Sequence, residues 1–485
     1  MKGQREKVKA RAGVAHLVGS FCSLALFAAA AIAAAPYQQP AGIGDLKDPV
    51  IIAGYRALFT CSAHFFAGRP LDDIAKVELE EMSGLGYPDP VIDEQRRVVT
   101  AKDPSGSVVR VAAFRDTMGC TILPPHLAMG DVPRLPYVPY APPPNLESVD
   151  FPRGDKVALG ADGLAAGYGP LGGVLDRALD GKSYSDKAGT VTAGVLVVKA
   201  GRIVAERYRP GFGVHSGYRT WSTSKSITAV LMAIAARQGI VDLEGPADIP
   251  EWSAAGDPRQ AITYKHLMWM SSGLAGGGDN SYAVYFGGQD VVSAATTTAL
   301  EAPPGTRWKY ANNDTLLLIR ALRHRLDDDL RFMRFPYDEL LHPLGMYHTR
   351  MEMDYLGTFV SSSQTYTTAR DLARFGVFLS NDGRIDGRRL LPEGWLRFAA
   401  TPAPTRPPVA NQMGYGAQFW LLDQMPGVPP GTYTTAGRKG QYVTVVPGHD
   451  LVIVRTGVDP EGKRFRQDQL VADVVRALKQ VTSDR

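Results

Sequence analysis

The strongest helical pattern in the sequence begins at residues 221–226. Apolar side chains recur there with the i, i+3, i+4, i+7 spacing of a helix that has one buried face: Ile227, Val230, Leu231 and Ile234. The pattern places Ser222 in the first turn and Lys225 one turn later on the same side. A serine hydroxyl is a weak nucleophile until a base takes its proton, and a desolvated lysine beside a helix N-terminus can be that base. The alternative is a capping serine and a solvated lysine, since S-x-x-K occurs about once by chance in a chain this long.

Strand patterns flank this helix on both sides. Residues 191–208 and 441–456 each alternate as a strand, a turn and a second strand. Helical patterns at 171–179 and 467–481 lie just outside them. This arrangement predicts that strands from both ends of the region share one antiparallel sheet. Residues 240–400 are mostly helix and loop, so we expect a second lobe and an active site between the two.

The first third of the chain has a different character. Residues 36–150 end in a proline-rich stretch, 133–144, that we expect to run extended over the surface. A helical pattern at 72–82 and a strand pattern at 108–114 precede it, and no catalytic motif is present. We therefore predict an N-terminal extension followed by a main domain, residues 151–485.

The positive charge of the chain is concentrated at its start. The formal net charge is +4, and residues 1–35 alone carry five basic residues against one acidic residue. The remainder is formally neutral, which argues against nucleic acid as a partner. A basic start, an apolar stretch and small residues before Pro36 are typical of a secretory signal peptide. We therefore expect a periplasmic or secreted protein with no other membrane contact, an uncleaved membrane anchor being the alternative.

Two cysteines, Cys61 and Cys120, remain beyond residues 1–35. In an oxidising compartment an even pair favours a disulfide, and two buried free thiols are the alternative. No C-x-x-C, H-E-x-x-H or histidine spacing indicates a metal, and no phosphate-binding glycine loop or G-x-S-x-G is present. The expectation is an activity without a metal or organic cofactor.

Five further stretches appear downstream of Ser222 in a set order. They are residues 262–274, residues 304–313 with Y-x-N at 310–312, residues 367–376, the turn 381–383 and residues 390–393. Together with S-x-x-K they resemble the serine β-lactamase-like hydrolases over about residues 170–480. The resemblance is to the branch of class C β-lactamases, DD-peptidases, EstB-type esterases and 6-aminohexanoate-dimer hydrolases, most of all to the last.

The resemblance implies an α+β, β-lactamase/transpeptidase-like fold, in which helices flank an antiparallel sheet and a mostly helical lobe lies beside it. It also implies that Ser222 is the nucleophile, Lys225 its base partner and Tyr310 a second acid/base group. Whether Lys225 or Tyr310 accepts the serine proton stays open, because coupled groups titrate as a pair. Asn312 is expected either to bind the acyl side of the substrate or to hold Lys225. As structural alternatives, Tyr310 is a packed aromatic and Asn312 a turn residue.

The K-T-G element of the family corresponds to residues 437–441. By this resemblance Gly440 lets the substrate lie close to the sheet edge, and the amides of Gln441 and Ser222 form the oxyanion hole. The sequence departs from the family pattern, since Arg438 and Lys439 stand where Lys and Thr are expected. This departure argues against β-lactam recognition. Either Arg438 binds a substrate carboxylate bidentately, or both cations form a solvated strand end.

These observations predict an exported serine hydrolase that cleaves small esters or linear amides through an acyl-enzyme. A β-lactamase or DD-peptidase is the alternative within the class. Two alternatives of other classes are a non-catalytic binding protein and a working role for residues 36–150 in docking a partner. Aromatic residues in the glycine-rich stretch 276–288 either line the acyl pocket or pack the loop, and packing is preferred: Tyr282, Tyr285 and Phe286.

Overall fold

The computed structural model describes residues 47–275 and 281–483. The predicted signal segment, residues 1–35, lies outside the described residues, as do positions 276–280 of the glycine-rich stretch. Within the described part of the chain, no helix combines the length and the apolar character that crossing a membrane requires.

The N-terminal extension contains a four-stranded antiparallel sheet of order β1-β2-β3-β4 with a buried helix against it. Its elements are α1 (Pro49–Cys61), α2 (Leu71–Val77), β1 (Val91–Asp93), β2 (Val98–Lys102), β3 (Val109–Arg115) and β4 (Gly119–Ile122). The strand predicted near 108–114 is confirmed as β3. The helix predicted over 72–82 is divided, because the N–H of Leu79 bonds back to the Ile74 carbonyl and ends α2. Residues 136–146 have neither helix nor strand and are mostly exposed.

The Ser222 region follows in the predicted order. Its elements are α3 (Gly172–Leu179), β5 (Thr192–Lys199), β6 (Arg202–Tyr208), β7 (Tyr218–Arg219) and α4 (Thr223–Arg237). The helical lobe comes next, with α5 (Tyr264–Met268), α6 (Val291–Thr296), α7 (Asn312–Leu326), α8 (Asp329–Pro336), β8 (Arg350–Met351), β9 (Thr365–Thr367), α9 (Ala369–Ser380), β10 (Arg384–Ile385), β11 (Arg388–Arg389) and α10 (Trp395–Ala399). The chain then returns to the sheet with β12 (Gly414–Tyr415), β13 (Trp420–Leu421), β14 (Tyr433–Gly437), β15 (Gln441–Val446), β16 (Leu451–Gly457) and α11 (Gln467–Ser483).

Strands from the two ends of this region share one seven-stranded sheet. Its order is β12-β13-β14-β15-β16-β5-β6, and β16 pairs antiparallel with β5. The shared sheet predicted from the two hairpin patterns is therefore confirmed. β7, β9 and β8 form a separate three-stranded sheet that leads directly into α4.

Both faces of the seven-stranded sheet are covered. Side chains alternate along β5, so Leu196 and Val198 enter one apolar core while Val195 and Val197 enter another. The first core contains residues of α4 and α9, and the second contains residues of α3 and α11. Burial on both faces explains why β5 is an almost continuous apolar run and lacks a polar-out alternation.

The extension shares the first of these cores. Every residue of α1 from Ile51 to Cys61 is buried. The ring of Phe59 in this helix packs against the ring of Trp221, with the centroids 5.6 Å apart. Glu352 of the main domain accepts from the Ser62 hydroxyl at 2.7 Å and from the Cys120 amide at 3.0 Å. The domain boundary at residue 150 remains a prediction. The apolar core contains residues from both sides of it.

A disulfide joins Cys61 at the end of α1 to Cys120 in β4. The pairing expected from the sequence is thus present. It closes a loop within the extension and fixes α1 against the small sheet that covers it.

Gly54→Ala should destabilise the protein although alanine is the better helix former. A Cβ at Gly54 would lie 1.9 Å from the Phe286 carbonyl oxygen, so α1 would have to move away from that segment. Overpacking of this kind costs about 1–3 kcal/mol, against a helix-propensity gain of about 1 kcal/mol. Urea unfolding measures the difference. Gly130→Ala, with nothing within 4 Å of its Cβ, is the matched control; equal stability of the two variants would contradict the close packing of α1.

Replacing both cysteines by serine should lower the free energy of unfolding by roughly 4 kcal/mol, the loop-closure value for a separation of 59 residues. Thermal unfolding with and without reductant measures this loss. The reductant should lower Tm of the wild type and leave the double variant unchanged. A wild type that is insensitive to reductant under unfolding conditions would show that the bond contributes nothing.

Candidate active site

Ser222 is the N-cap residue of α4, and its hydroxyl makes no capping hydrogen bond. The Nζ atom of Lys225 lies 3.2 Å from Ser222 Oγ. Lys225 is 1% exposed, whereas Ser222 is half-buried and within reach of solvent. The structure thus contradicts the alternative of a capping serine beside a solvated lysine.

The ammonium of Lys225 contacts three neutral oxygens. Besides Ser222, Nζ donates to Asn312 Oδ1 at 2.7 Å and to the Ser362 carbonyl at 2.7 Å. Burial disfavours the charged form and lowers the pKa of Lys225 to about 7. A neutral amine is therefore available at the serine near physiological pH.

Tyr310 completes the contacts of the serine. The Ser222 hydroxyl interacts with the Tyr310 hydroxyl and partly offsets the effect of burial on the pKa of the phenol, and the ring centroid of Tyr310 lies 5.2 Å from Lys225 Nζ. Burial raises the pKa of Tyr310 far above its ordinary value, so the phenol stays protonated at neutral pH. The ring stacks on Trp420 at 5.7 Å and meets Tyr415 edge-on at 5.9 Å. Tyr310 is thus a packed aromatic residue, and the same packing keeps its hydroxyl beside Ser222.

Asn312, the first residue of α7, uses both ends of its amide. Oδ1 accepts from Lys225, and Nδ2 donates to the Ser281 hydroxyl at 2.7 Å. Of the two roles expected from the sequence, these contacts favour holding Lys225 in place.

The Ser362 carbonyl is a contact that sequence reasoning missed, since a backbone oxygen has no residue signature. Its position is fixed through Tyr285, whose hydroxyl lies 2.7 Å from Ser362 Oγ and whose carbonyl accepts from Gln364 Nε2 at 2.9 Å. Tyr285 and Phe286 are buried, in agreement with the preferred packing role. Tyr282 is half-buried and stacks on Phe286.

The backbone immediately before Ser222 is strained. Trp221 has φ 50°, in the left-handed region that costs a non-glycine residue about 1–3 kcal/mol. Its ring is held between the guanidinium of Arg219, at 4.4 Å, and that of Arg438, at 5.3 Å. Phe59 of the extension contacts the same ring, so the extension helps to keep this conformation.

Arg438 and Lys439 do not behave as either sequence interpretation expected. Lys439 Nζ lies 2.8 Å from Glu81 Oε1, and Arg438 Nη2 lies 3.1 Å from Glu81 Oε2 and also pairs with Glu461. The side chain of Lys439 is 8% exposed and that of Arg438 is 30% exposed. The two cations are thus neither a solvated strand end nor free to receive a substrate carboxylate, because acidic side chains already neutralise them.

The position of Gly440 also corrects the sequence interpretation. A Cβ there would lie 1.6 Å from Arg455 Nη1 and 2.4 Å from Asp459 Oδ2, so this glycine makes room for a buried ion pair and not for a substrate. The glycine that lies against the segment before Ser222 is Gly437, whose Cβ would lie 2.1 Å from the Thr220 carbonyl. A glycine at the end of a strand pattern was the available signal for it.

Gln441 divides its contacts between two sides. Its carbonyl accepts from Thr223 Oγ1 at 3.3 Å, so its backbone lies beside the first turn of α4. Its side-chain amide is directed to the Gly457 carbonyl. The oxyanion role of the Gln441 and Ser222 amides stays a prediction.

Comparison with known proteins agrees with this arrangement. A sequence model of the Beta-lactamase family matches residues 175–476. The chain belongs to the β-lactamase family. Membership confirms the expected serine hydrolase and the expected β-lactamase/transpeptidase-like fold; residues 47–174 precede the matched region.

Two known proteins are similar to this chain, one in sequence and one in structure. The chain is 24% identical over 319 residues to the 6-aminohexanoate-dimer hydrolase of Paenarthrobacter ureafaciens, a match that covers 60% of this chain and 80% of that protein. It is also similar in structure to a family VIII carboxylesterase, with TM-score 0.50, 14% identity and coverage of 65% of this chain and 98% of the other. At this identity the structural likeness shows the fold alone.

Proposed function

We propose that this protein is an exported serine hydrolase that cleaves a small ester or a linear amide through an acyl-enzyme on Ser222. The observation that carries the proposal is the 3.2 Å contact between Ser222 Oγ and the buried amine of Lys225, with Tyr310 on the same hydroxyl.

The lowered pKa of Lys225 suits it to act as the base, and the raised pKa of Tyr310 suits it to act as the acid. Neutral Lys225 takes the proton of Ser222 as Oγ bonds to the substrate carbonyl carbon, and negative charge collects on the carbonyl oxygen. Protonated Tyr310 then gives a proton to the leaving oxygen or nitrogen as its bond to the carbonyl carbon breaks. The Tyr310 phenolate then takes a proton from water as the water oxygen bonds to the acyl carbon, and the Lys225 ammonium gives its proton to Ser222 Oγ as the bond between Oγ and the acyl carbon breaks.

The substrate class is supported by the pairing of the 437–441 turn. Because Glu81 and Glu461 neutralise Arg438 and Lys439, this turn offers no free cation for the carboxylate of a β-lactam. The relative in Paenarthrobacter ureafaciens is named a 6-aminohexanoate-dimer hydrolase, and an amide bond joins the units of such a dimer, which supports the amide half of the proposal.

The export part of the proposal is supported by two features. The chain starts with a basic and then apolar segment, and a disulfide joins Cys61 to Cys120. Disulfides persist in oxidising compartments, as the periplasm or the cell exterior provides.

A fluorophosphonate should add once to the wild type and not to Ser222→Ala, because only an activated serine attacks the phosphorus. Intact-mass spectrometry measures the adduct. Ser253→Ala, which removes an exposed serine, is the control and should react like the wild type.

An unmodified wild type would contradict the hydrolase proposal and favour the non-catalytic binding protein. If the adduct forms, the substrate class is identified by comparing turnover of three substrates: short p-nitrophenyl esters, the 6-aminohexanoate dimer and nitrocefin. Nitrocefin as the best substrate would replace the ester and linear-amide proposal by the β-lactamase alternative.

The pH profile of kcat/KM should report Lys225. Activity should rise about tenfold per pH unit below pH 7 and level off above it, since the base works only after losing its proton at a pKa of about 7. Asn312→Asp places a carboxylate on the ammonium and should move the inflection upward by about one pH unit or more. Initial rates with a p-nitrophenyl ester give both profiles.

The control for the pH experiment is Asn381→Asp, the same change at an exposed position. It should keep the wild-type profile. An inflection that stays in place in Asn312→Asp would exclude Lys225 as the group that controls the reaction.

A further inference from the structure

Three side chains outside the active site converge although they are far apart in the sequence. Asp155, His215 and His348 each offer one ligand atom, and these atoms all lie within 4.8 Å of one another. The two imidazole rings have centroids 5.6 Å apart at an interplanar angle of 60°. We propose that these three residues bind a divalent transition-metal ion, for which Zn²⁺ is the natural probe.

The donor set fits such an ion. Imidazole nitrogen suits Zn²⁺ and carboxylate oxygen is among the ligands that Zn²⁺ takes in proteins, and three protein ligands leave one position for water. Arg374 Nη2 donates to Oδ1 of Asp155 at 2.6 Å, a contact that leaves Oδ2 available as a ligand. His215 is exposed, which gives the ion a path from solvent.

The charges beneath the imidazoles also favour a cation. Arg374 pairs with Asp155 at 2.6 Å and with Asp371 at 2.8 Å, and all three side chains are buried. One guanidinium against two carboxylates leaves an excess negative charge, which is unfavourable inside a protein unless a further positive charge approaches it.

The carboxylate of Asp371 also fixes one of the ligands. Its Oδ2 accepts from the His348 backbone N–H at 2.9 Å and from the Thr349 hydroxyl at 2.8 Å. The backbone that carries His348 is therefore held in place before any ion binds, which reduces the ordering that binding requires.

The site would connect three segments that are far apart in the sequence. Asp155 lies shortly after the extension, His215 lies between β6 and β7 on the way to Ser222, and His348 lies just before β8. An ion bound there clamps the start of the main domain to the segments that lead into β7 and β8. Its role is structural, so this proposal is independent of the proposed hydrolase activity and goes beyond it.

Titration of the chelator-treated full chain with ZnCl₂ in a calorimeter tests the site. We expect saturable binding of one ion per chain and a higher Tm, because an ion that binds only the folded state stabilises it. His215→Ala and His348→Ala should each weaken binding by about tenfold or more. Co²⁺ in place of Zn²⁺ should give d–d absorption bands that these variants lose.

His324→Ala, which removes an exposed histidine on α7, is the matched control and should bind Zn²⁺ like the wild type. Since His215 is exposed, its replacement should leave the fold intact, which near-UV circular dichroism checks. The proposal is overturned if the wild type shows no saturable binding, or if His215→Ala binds as tightly as His324→Ala.

Discussion

The ammonium of Lys225 is buried against three neutral oxygens, and this contact sets the demands on the structure around it. A buried charge is costly unless hydrogen bonds or an opposite charge compensate it. Among the described residues, the fold supplies only hydrogen-bond acceptors for it: Ser222 Oγ, Asn312 Oδ1 and the Ser362 carbonyl. These hydrogen bonds do not fully offset the cost of burying the charge, and the pKa of Lys225 is therefore lowered. Elements from α4, α7 and the segment before β9 must therefore meet with little positional freedom.

The extension contributes to that rigidity although it precedes the matched family region. Phe59 contacts the ring of the strained Trp221, and Gly54 allows α1 to lie directly on the Phe286 backbone. Glu81 pairs with both cations of the turn that follows β14. The electrostatics near Ser222 are thus determined partly by residues 47–150, and not by the family fold alone.

The sequence was sufficient for the parts of the site that depend on local pattern. Helical periodicity located Ser222 and Lys225, and the Y-x-N stretch located Tyr310 and Asn312. What it could not supply were tertiary contacts without a residue signature, such as the Ser362 carbonyl and the convergence of His215 with His348. The turn 437–441 carries glycines at positions 437 and 440. Only their surroundings show that Gly437 lies against the segment before Ser222, whereas Gly440 lies against the Arg455–Asp459 pair.

Lys225 differs from other cations in this core in what lies against it. The Lys439 side chain is 8% exposed, and its Nζ lies 2.8 Å from a carboxylate of Glu81. Arg374 and Arg455 are paired with aspartates in the interior. An opposite charge of this kind favours the protonated form of each of these three cations. Among the described residues, the hydrogen-bond partners of Lys225 are neutral oxygens beside a half-exposed serine, and burial there lowers its pKa to about 7. Such an environment favours the free amine that the proposed chemistry at Ser222 needs.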